Sequence, residues 1–175
     1  MKRSRWVARL IQGADSHSMA AMWQGSVVSI HITSAAGQPM EAVPEARAVP
    51  GRGLEGDRYF AGTGYYSGKP GDGGRELTLI ETETLEALPA LGVKLSAAES
   101  RRNIATVGVP LNHLVGHEFR VGAVRLRGTR LCEPCTYLDG LTQQGAMAAL
   151  IHRGGLRALI LNDGLIRVGD AITLS

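Results

Sequence analysis

The sequence holds two cysteines, Cys132 and Cys135, within Leu131-Cys132-Glu133-Pro134-Cys135. Three chemistries use cysteines at this spacing. In thiol–disulfide exchange the pair opens a helix whose N-terminal dipole lowers a thiol pKa. Pro134 fits that picture, but Asp139-Gly140 follows within a few residues, so no long amphipathic helix begins here. The pair also sits late in the chain, behind strands rather than in an early βαβ unit. As zinc ligands the cysteines would need His113 and His117 to complete four donors, and Gly116 weakens a helical pairing of those histidines. The third chemistry is a single activated thiolate, or a persulfide, beside a basic anion site. Arg130 just upstream, and Arg101 or Arg102 if folded nearby, favour the thiolate electrostatically. A thiolate is a soft metal ligand and a good sulfur acceptor. Against all three stands a plain structural role, since free cysteine is often only a small buried residue. For Cys132 that role weighs as much as a functional one.

Two other clusters belong with the cysteines. Gly51-Arg52-Gly53-Leu54-Glu55-Gly56-Asp57-Arg58 is turn-rich and ends in an acid–base pair. Its glycines permit close approach of backbone N–H groups to an anion, although it matches neither a Walker loop nor a dinucleotide fingerprint. Structurally, it is a turn in which Asp57 caps local amides. Ser100-Arg101-Arg102-Asn103 leads directly into a strand. An arginine fork grips phosphate bidentately, and an asparagine amide both donates and accepts. The alternative is an exposed basic corner.

The elements that must position these residues are short. Apolar alternation begins at Gly25, and Ser26 to Ile32 reads as a strand. Glu45–Val49, Glu76–Ile80, Asn103–Val107, Glu118–Val121 and Ala123–Leu131 read as further strands, the last two hinged at Gly122. Leu85, Leu88 and Leu91 at helical spacing predict a helix over Thr82–Leu91, stopped by Gly92. Ser96 and Glu99 have capping-box spacing and open at most one turn. Leu111–Val115 is a helical turn ended by Gly116. Thr142 is placed to cap a helix through His152, with Met147, Leu150 and Ile151 inward and Gly154-Gly155 as its stop. Leu156–Leu161 and Leu165–Leu174 flank Asn162-Asp163-Gly164, a hairpin signal. The glycine-rich stretch from Ala61 to Gly74 reads as a mobile tip in its middle. About eight strands and two short helices result, a count suited to a barrel or sandwich.

Composition bounds the rest. The 175 residues are 44% hydrophobic and 20% charged, enough for one core. Twenty-three glycines against 5% aromatics suit short strands joined by shaped loops. The net charge of +3 is too small to imply nucleic acid, but its basic residues concentrate between Arg101 and Arg130, which suits an anionic small ligand. Arg125 and Arg127 alternate along a strand and are read as solvent-facing. No apolar run approaches a membrane span. Residues 1–24 read as an N-terminal extension without the h-region of a signal peptide, residues 25–175 as one domain, and the cytoplasm as the expected compartment. Neither nucleic acid nor a membrane is an expected partner.

Taken in order, several segments resemble the MOSC family, the module at the C-terminus of molybdenum cofactor sulfurases and in stand-alone bacterial proteins. They are Gly53-Leu54-Glu55-Gly56-Asp57-Arg58, Glu76-Leu77-Thr78-Leu79-Ile80-Glu81, Glu99-Ser100-Arg101-Arg102-Asn103-Ile104, Leu111-Asn112-His113-Leu114-Val115-Gly116, Phe119-Arg120-Val121-Gly122 and Gly128-Thr129-Arg130-Leu131-Cys132-Glu133-Pro134-Cys135. The resemblance implies a mainly β, barrel-like fold with a few short helices. It also implies that Cys135 is the reactive residue and the molybdenum ligand, and that Arg101 and Asn103 contact the pterin phosphate region. Glu133, two residues before the ligand cysteine, would line the same pocket, an acid where a small hydroxyl residue suits an anion better. Arg58 and Arg102 complete the expected cofactor-binding set.

Three functions are expected. The domain binds molybdenum cofactor through Cys135 and supports reduction of N-hydroxylated small molecules, with a redox partner. Or it carries sulfur as a Cys135 persulfide received from a separate cysteine desulfurase, since this chain alone is not expected to bind pyridoxal phosphate. Or it is a non-enzymatic barrel that binds an anion or a partner protein, with both cysteines inert.

Overall fold

The computed structural model describes residues 23–68 and 74–175. In chain order its strands are β1 (Gly25–Ile32), β2 (Glu41–Val43), β3 (Glu45–Val49), β4 (Gly53–Leu54), β5 (Leu77–Glu81), β6 (Ile104–Val107), β7 (Glu118–Val121), β8 (Val124–Leu131), β9 (Leu156–Ile160), β10 (Gly164–Arg167) and β11 (Ala171–Leu174). Seven of them close a barrel in the order β1-β11-β7-β8-β9-β5-β6, with β6 returning to β1. β1 makes this closure possible: its first residues pair with β11 and its length pairs with β6, across a bulge between Val27 and Ser29. β2 continues the sheet beyond the far end of β1, and β10, β3 and β4 form a second small sheet. The barrel-like expectation holds, with more and shorter strands than the sequence suggested.

Side-chain alternation drives the closure. Along β8, Val124, Leu126 and Gly128 are buried while Arg125 and Arg127 are exposed, so the arginine pattern faces solvent as expected. Leu77, Leu79, Ile104, Phe119, Leu126 and Leu156 meet inside. β5 is buried on both faces, and its Ile80 joins an outer cluster with Leu85, Leu88, Leu138 and Leu150. That cluster seats the short helices against the barrel wall, including Thr136–Leu141, which follows Cys135 directly. No helix among the described residues is long and apolar enough to cross a membrane.

Three expectations are corrected. Asn162-Asp163-Gly164 does not close a hairpin. β9 already has both edges occupied, by β5 and β8, so β10 crosses to pair with β3 instead. Asn162 ties this crossing down by accepting from Arg125 N at 2.7 Å. The stretch Leu165–Leu174 is accordingly two strands rather than one. The helix expected over Thr142–His152 shrinks to Ala146–Ala149, because Gly145 sits at φ 91° and Thr142 instead ends the preceding helix. Ile151 is exposed rather than inward. Of the extension over residues 1–24, all but Trp23 and Gln24 lie outside the described residues, and Trp23 packs against the barrel core.

Candidate functional site

The loop carrying the cysteines leaves β8 just after a register shift between Gly128 and Arg130. Such a bulge bends a strand and re-aims the residues beyond it. The loop then lies on Gly154 and Gly155. Cys132 N donates to Gly155 O at 2.7 Å, and a Cβ on Gly154 would lie 2.5 Å from Cys132 O. The sequence suggests a helix stop for these glycines, but backbone proximity is what requires them. Gly155 has φ 99°, and a Cβ there would overlap Leu79 O. Gly155→Ala is expected to destabilise the protein by roughly 2–3 kcal/mol through strain and overlap, measured as a lower urea midpoint at unchanged slope.

Arg102 holds the same loop from inside. The residue is 7% exposed, and its guanidinium donates to Gly154 O (2.7 Å), Cys132 O (2.8 Å) and Ser100 O (3.0 Å). Asn103 is committed likewise: its Oδ1 accepts from Thr78 N and Oγ1, and its Nδ2 donates to His31 O. It is buried and lines none of the crevices around Cys135. Arg58 is ion-paired to Asp57 at 3.0 Å and donates to Arg101 O at 3.2 Å. Asp57 meanwhile accepts from Tyr59 N and Thr33 N, the capping role read from its sequence. The turn Ser96–Glu99 closes its reciprocal capping bonds and delivers Arg101 at φ 65°. Burial, then repulsion from Arg58, pulls the Arg101 guanidinium below its ordinary pKa.

Cys135 precedes the helix Thr136–Leu141 with extended backbone and is only partly buried. Its thiol borders a narrow crevice of about 60 Å³, together with Arg58, Arg101, Arg102, Cys132, Glu133 and Arg157. All four tyrosines of the chain, Tyr59, Tyr65, Tyr66 and Tyr137, line it as well. Tyr65 stacks on Tyr137 at 4.1 Å and meets Tyr66 edge-on at 4.9 Å. Tyr66 Oη donates to Cys135 Sγ at 3.2 Å.

Reading the residues alone missed these tyrosines. Tyr65 and Tyr66 lie in the stretch read as a mobile tip, of which residues 69–73 fall outside the described residues. The described part instead makes a turn, with Gly64 N donating to Ser67 Oγ at 3.0 Å. The scarcity of aromatics was the available signal, because all four tyrosines fall near the two chemical segments.

The Tyr66 hydroxyl is pushed up to about 12 from its ordinary 10.0, first by its hydrogen bond to Cys135, then by burial and by charge repulsion from the sulfur. The phenol therefore keeps its proton well above neutral pH and stays the donor to Cys135 Sγ. An ultraviolet pH titration should find this phenolate forming near 12, and Cys135→Ala should return it toward 10.0. Tyr66→Phe is expected to slow alkylation of Cys135 at neutral pH roughly three- to tenfold, since a bond to a charged acceptor is lost at a part-exposed site.

Glu133 lines the same crevice and is also held from outside it. Its carboxylate accepts from His152 N at 2.9 Å and lies 3.0 Å from His152 Nδ1. These contacts, the backbone bond foremost, hold it below the usual carboxylate range. Arg157 Nε is buried and has no hydrogen-bond partner among the described residues. His113 and His117 do not join the cysteines: the described residues bring no three histidine, cysteine or carboxylate side chains together as a metal site.

The family model for the MOSC domain matches residues 66–173. No curated protein matches the sequence. Among solved structures the chain is similar to the YuaD protein of Bacillus subtilis, with TM-score 0.71 and 16% identity over 87% of this chain and 97% of that one. It is also similar to YiiM from Geobacillus stearothermophilus, with TM-score 0.63 and 15% identity over 86% and 75% of the two chains. YiiM from Escherichia coli gives TM-score 0.61 and 18% identity over 85% and 69%. At these identities the likeness is one of fold.

Proposed function

Because this chain belongs to the MOSC domain family, we propose that it binds molybdenum cofactor through the Cys135 thiolate and supports reduction of N-hydroxylated small molecules. The observation that carries this reading is a part-exposed thiol, given a hydrogen bond by a phenol at 3.2 Å, in one crevice with a buried guanidinium N–H that lacks an acceptor among the described residues. The donor set suits the group: a soft sulfur for molybdenum and unsatisfied positive charge for a phosphate. When bound, the cofactor supplies two-electron redox chemistry at the metal. In this reading Cys135 holds the metal, Tyr66 orients the thiolate, and Arg101 and Arg157 face the anionic end. Arg58, Arg102 and Asn103 act from behind by fixing the loops, and His152 fixes the position of the Glu133 carboxylate. The cytoplasm, where an exposed thiol stays reduced, is the compartment this chemistry suits. The test is metal analysis of protein made in a host that synthesises the cofactor. Stoichiometric molybdenum is expected, and metal-free protein from every such preparation would overturn the reading.

A second reading has its own support. The crevice on the tyrosine side offers only about 60 Å³, which admits a single added sulfur more readily than a pterin. Here Cys135 accepts sulfur from the persulfide of a separate cysteine desulfurase. Its thiolate attacks the terminal sulfur, a new S–S bond forms, and the donor leaves as a thiolate. Intact-mass measurement after incubation with a desulfurase should show one added sulfur atom on Cys135. An unchanged mass would remove this reading.

A further inference from the structure

Cys135 also borders a second crevice, of about 210 Å³, shared with Tyr66, Arg75, Arg130, Glu133 and Arg157. Its described lining includes three guanidinium groups and the Glu133 carboxylate, which also contacts His152. Arg130 and Arg157 are direct register partners on β8 and β9. Arg157 Nε is buried and has no acceptor among the described residues. None of this charge is needed to pair β8 with β9, whose backbone bonds suffice.

Resting on the sulfur-carrier reading, we propose that this crevice binds a small oxoanion bearing a sulfane sulfur, of which thiosulfate is the simplest, and that Cys135 takes that sulfur. The arginines hold the sulfonate oxygens and direct the outer sulfur at Cys135 Sγ. The thiolate attacks the outer sulfur, and an S–S bond forms to Sγ. The bond between the two thiosulfate sulfurs breaks, and its electron pair leaves with sulfite. The products are a cysteine persulfide anion and sulfite, with total charge unchanged and no outside oxidant or reductant. The site thus loads its own sulfur without a partner protein.

The experiment uses the full chain with excess thiosulfate and, in parallel, with a cysteine desulfurase and cysteine. Expected from thiosulfate are one added sulfur atom on Cys135 by intact mass, an equal amount of sulfite released, and inhibition by sulfate. In Arg157→Met the ratio of the thiosulfate rate to the desulfurase rate should fall about tenfold, with partial recovery in Arg157→Lys. A purely structural role for Arg157 would lower both rates together and leave the ratio unmoved, which would overturn the anion site. Loading from the desulfurase but not from thiosulfate would overturn the proposal and leave the carrier reading standing. Loading from neither would remove both. Wild-type loading that sulfate does not slow would equally exclude an oxoanion site, whatever the stability of the variants.

Discussion

Cys135→Ser should lose molybdenum from protein made in a cofactor-producing host, and sulfur uptake from any donor, each by at least about a hundredfold, while folding normally. The fold does not lean on this side chain: Cys135 is partly exposed and makes no capping bond to the adjoining helix. Serine retains an oxygen that can accept from Tyr66, so local geometry survives. The soft sulfur is the part that disappears. A serine hydroxyl stays protonated at neutral pH, is then a weaker metal donor than a thiolate, and cannot hold a persulfide. Cys132→Ser provides the contrast. Cys132 is 2% exposed, and a hydroxyl there costs about 1–2 kcal/mol of stability without removing the reacting atom. Metal analysis, intact mass and urea unfolding of both variants separate the roles. Equal loss of cargo in the two would return the assignment to the pair.

The parts of this structure that were legible in the sequence are those written locally. Alternation placed β1 and β8, Asp57 capped the turn it was expected to cap, and Ser96–Glu99 closed as a box. Family order then pointed to the barrel and to Cys135. The features that could not be read depend on distant partners. Whether Asn162-Asp163-Gly164 closes a hairpin is decided by the two strands that already flank β9, not by the turn residues. Nothing local distinguishes a glycine that ends a helix from one pressed against Cys132 O. The Tyr66–Cys135 contact spans 69 positions, and the glycines around Tyr66 disguised it as a mobile loop. The arginines show the same limit. Residue type announces positive charge, but only the fold shows which guanidinium is already committed and which still lacks an acceptor.

Arg102 brings that distinction to a measurable test. Its three hydrogen bonds join Ser100 before β6, Cys132 after β8 and Gly154 before β9 at 7% exposure. Arg102→Met keeps most of the stem but leaves three buried carbonyls without donors. The expected loss is about 3–5 kcal/mol, since each unsatisfied acceptor carries its own desolvation cost. That is a large fraction of the stability of an ordinary domain. Arg102→Lys should recover part of it, because one ammonium reaches some of the carbonyls without the planar fork. The loop should loosen before the barrel does: hydrogen exchange at Cys132 N, bonded to Gly155 O, is expected to rise, and Cys132 should become open to alkylation. A guanidinium whose main task is to grip a phosphate predicts the reverse, with ligand lost at unchanged stability and unchanged exchange. The geometry favours the first outcome, because a side chain that spends its donors on three backbone carbonyls has little left for an anion. Arg101 and Arg157 are then the arginines on which binding should depend, and Arg102 the one that keeps Cys135 where they can act on the cargo it holds.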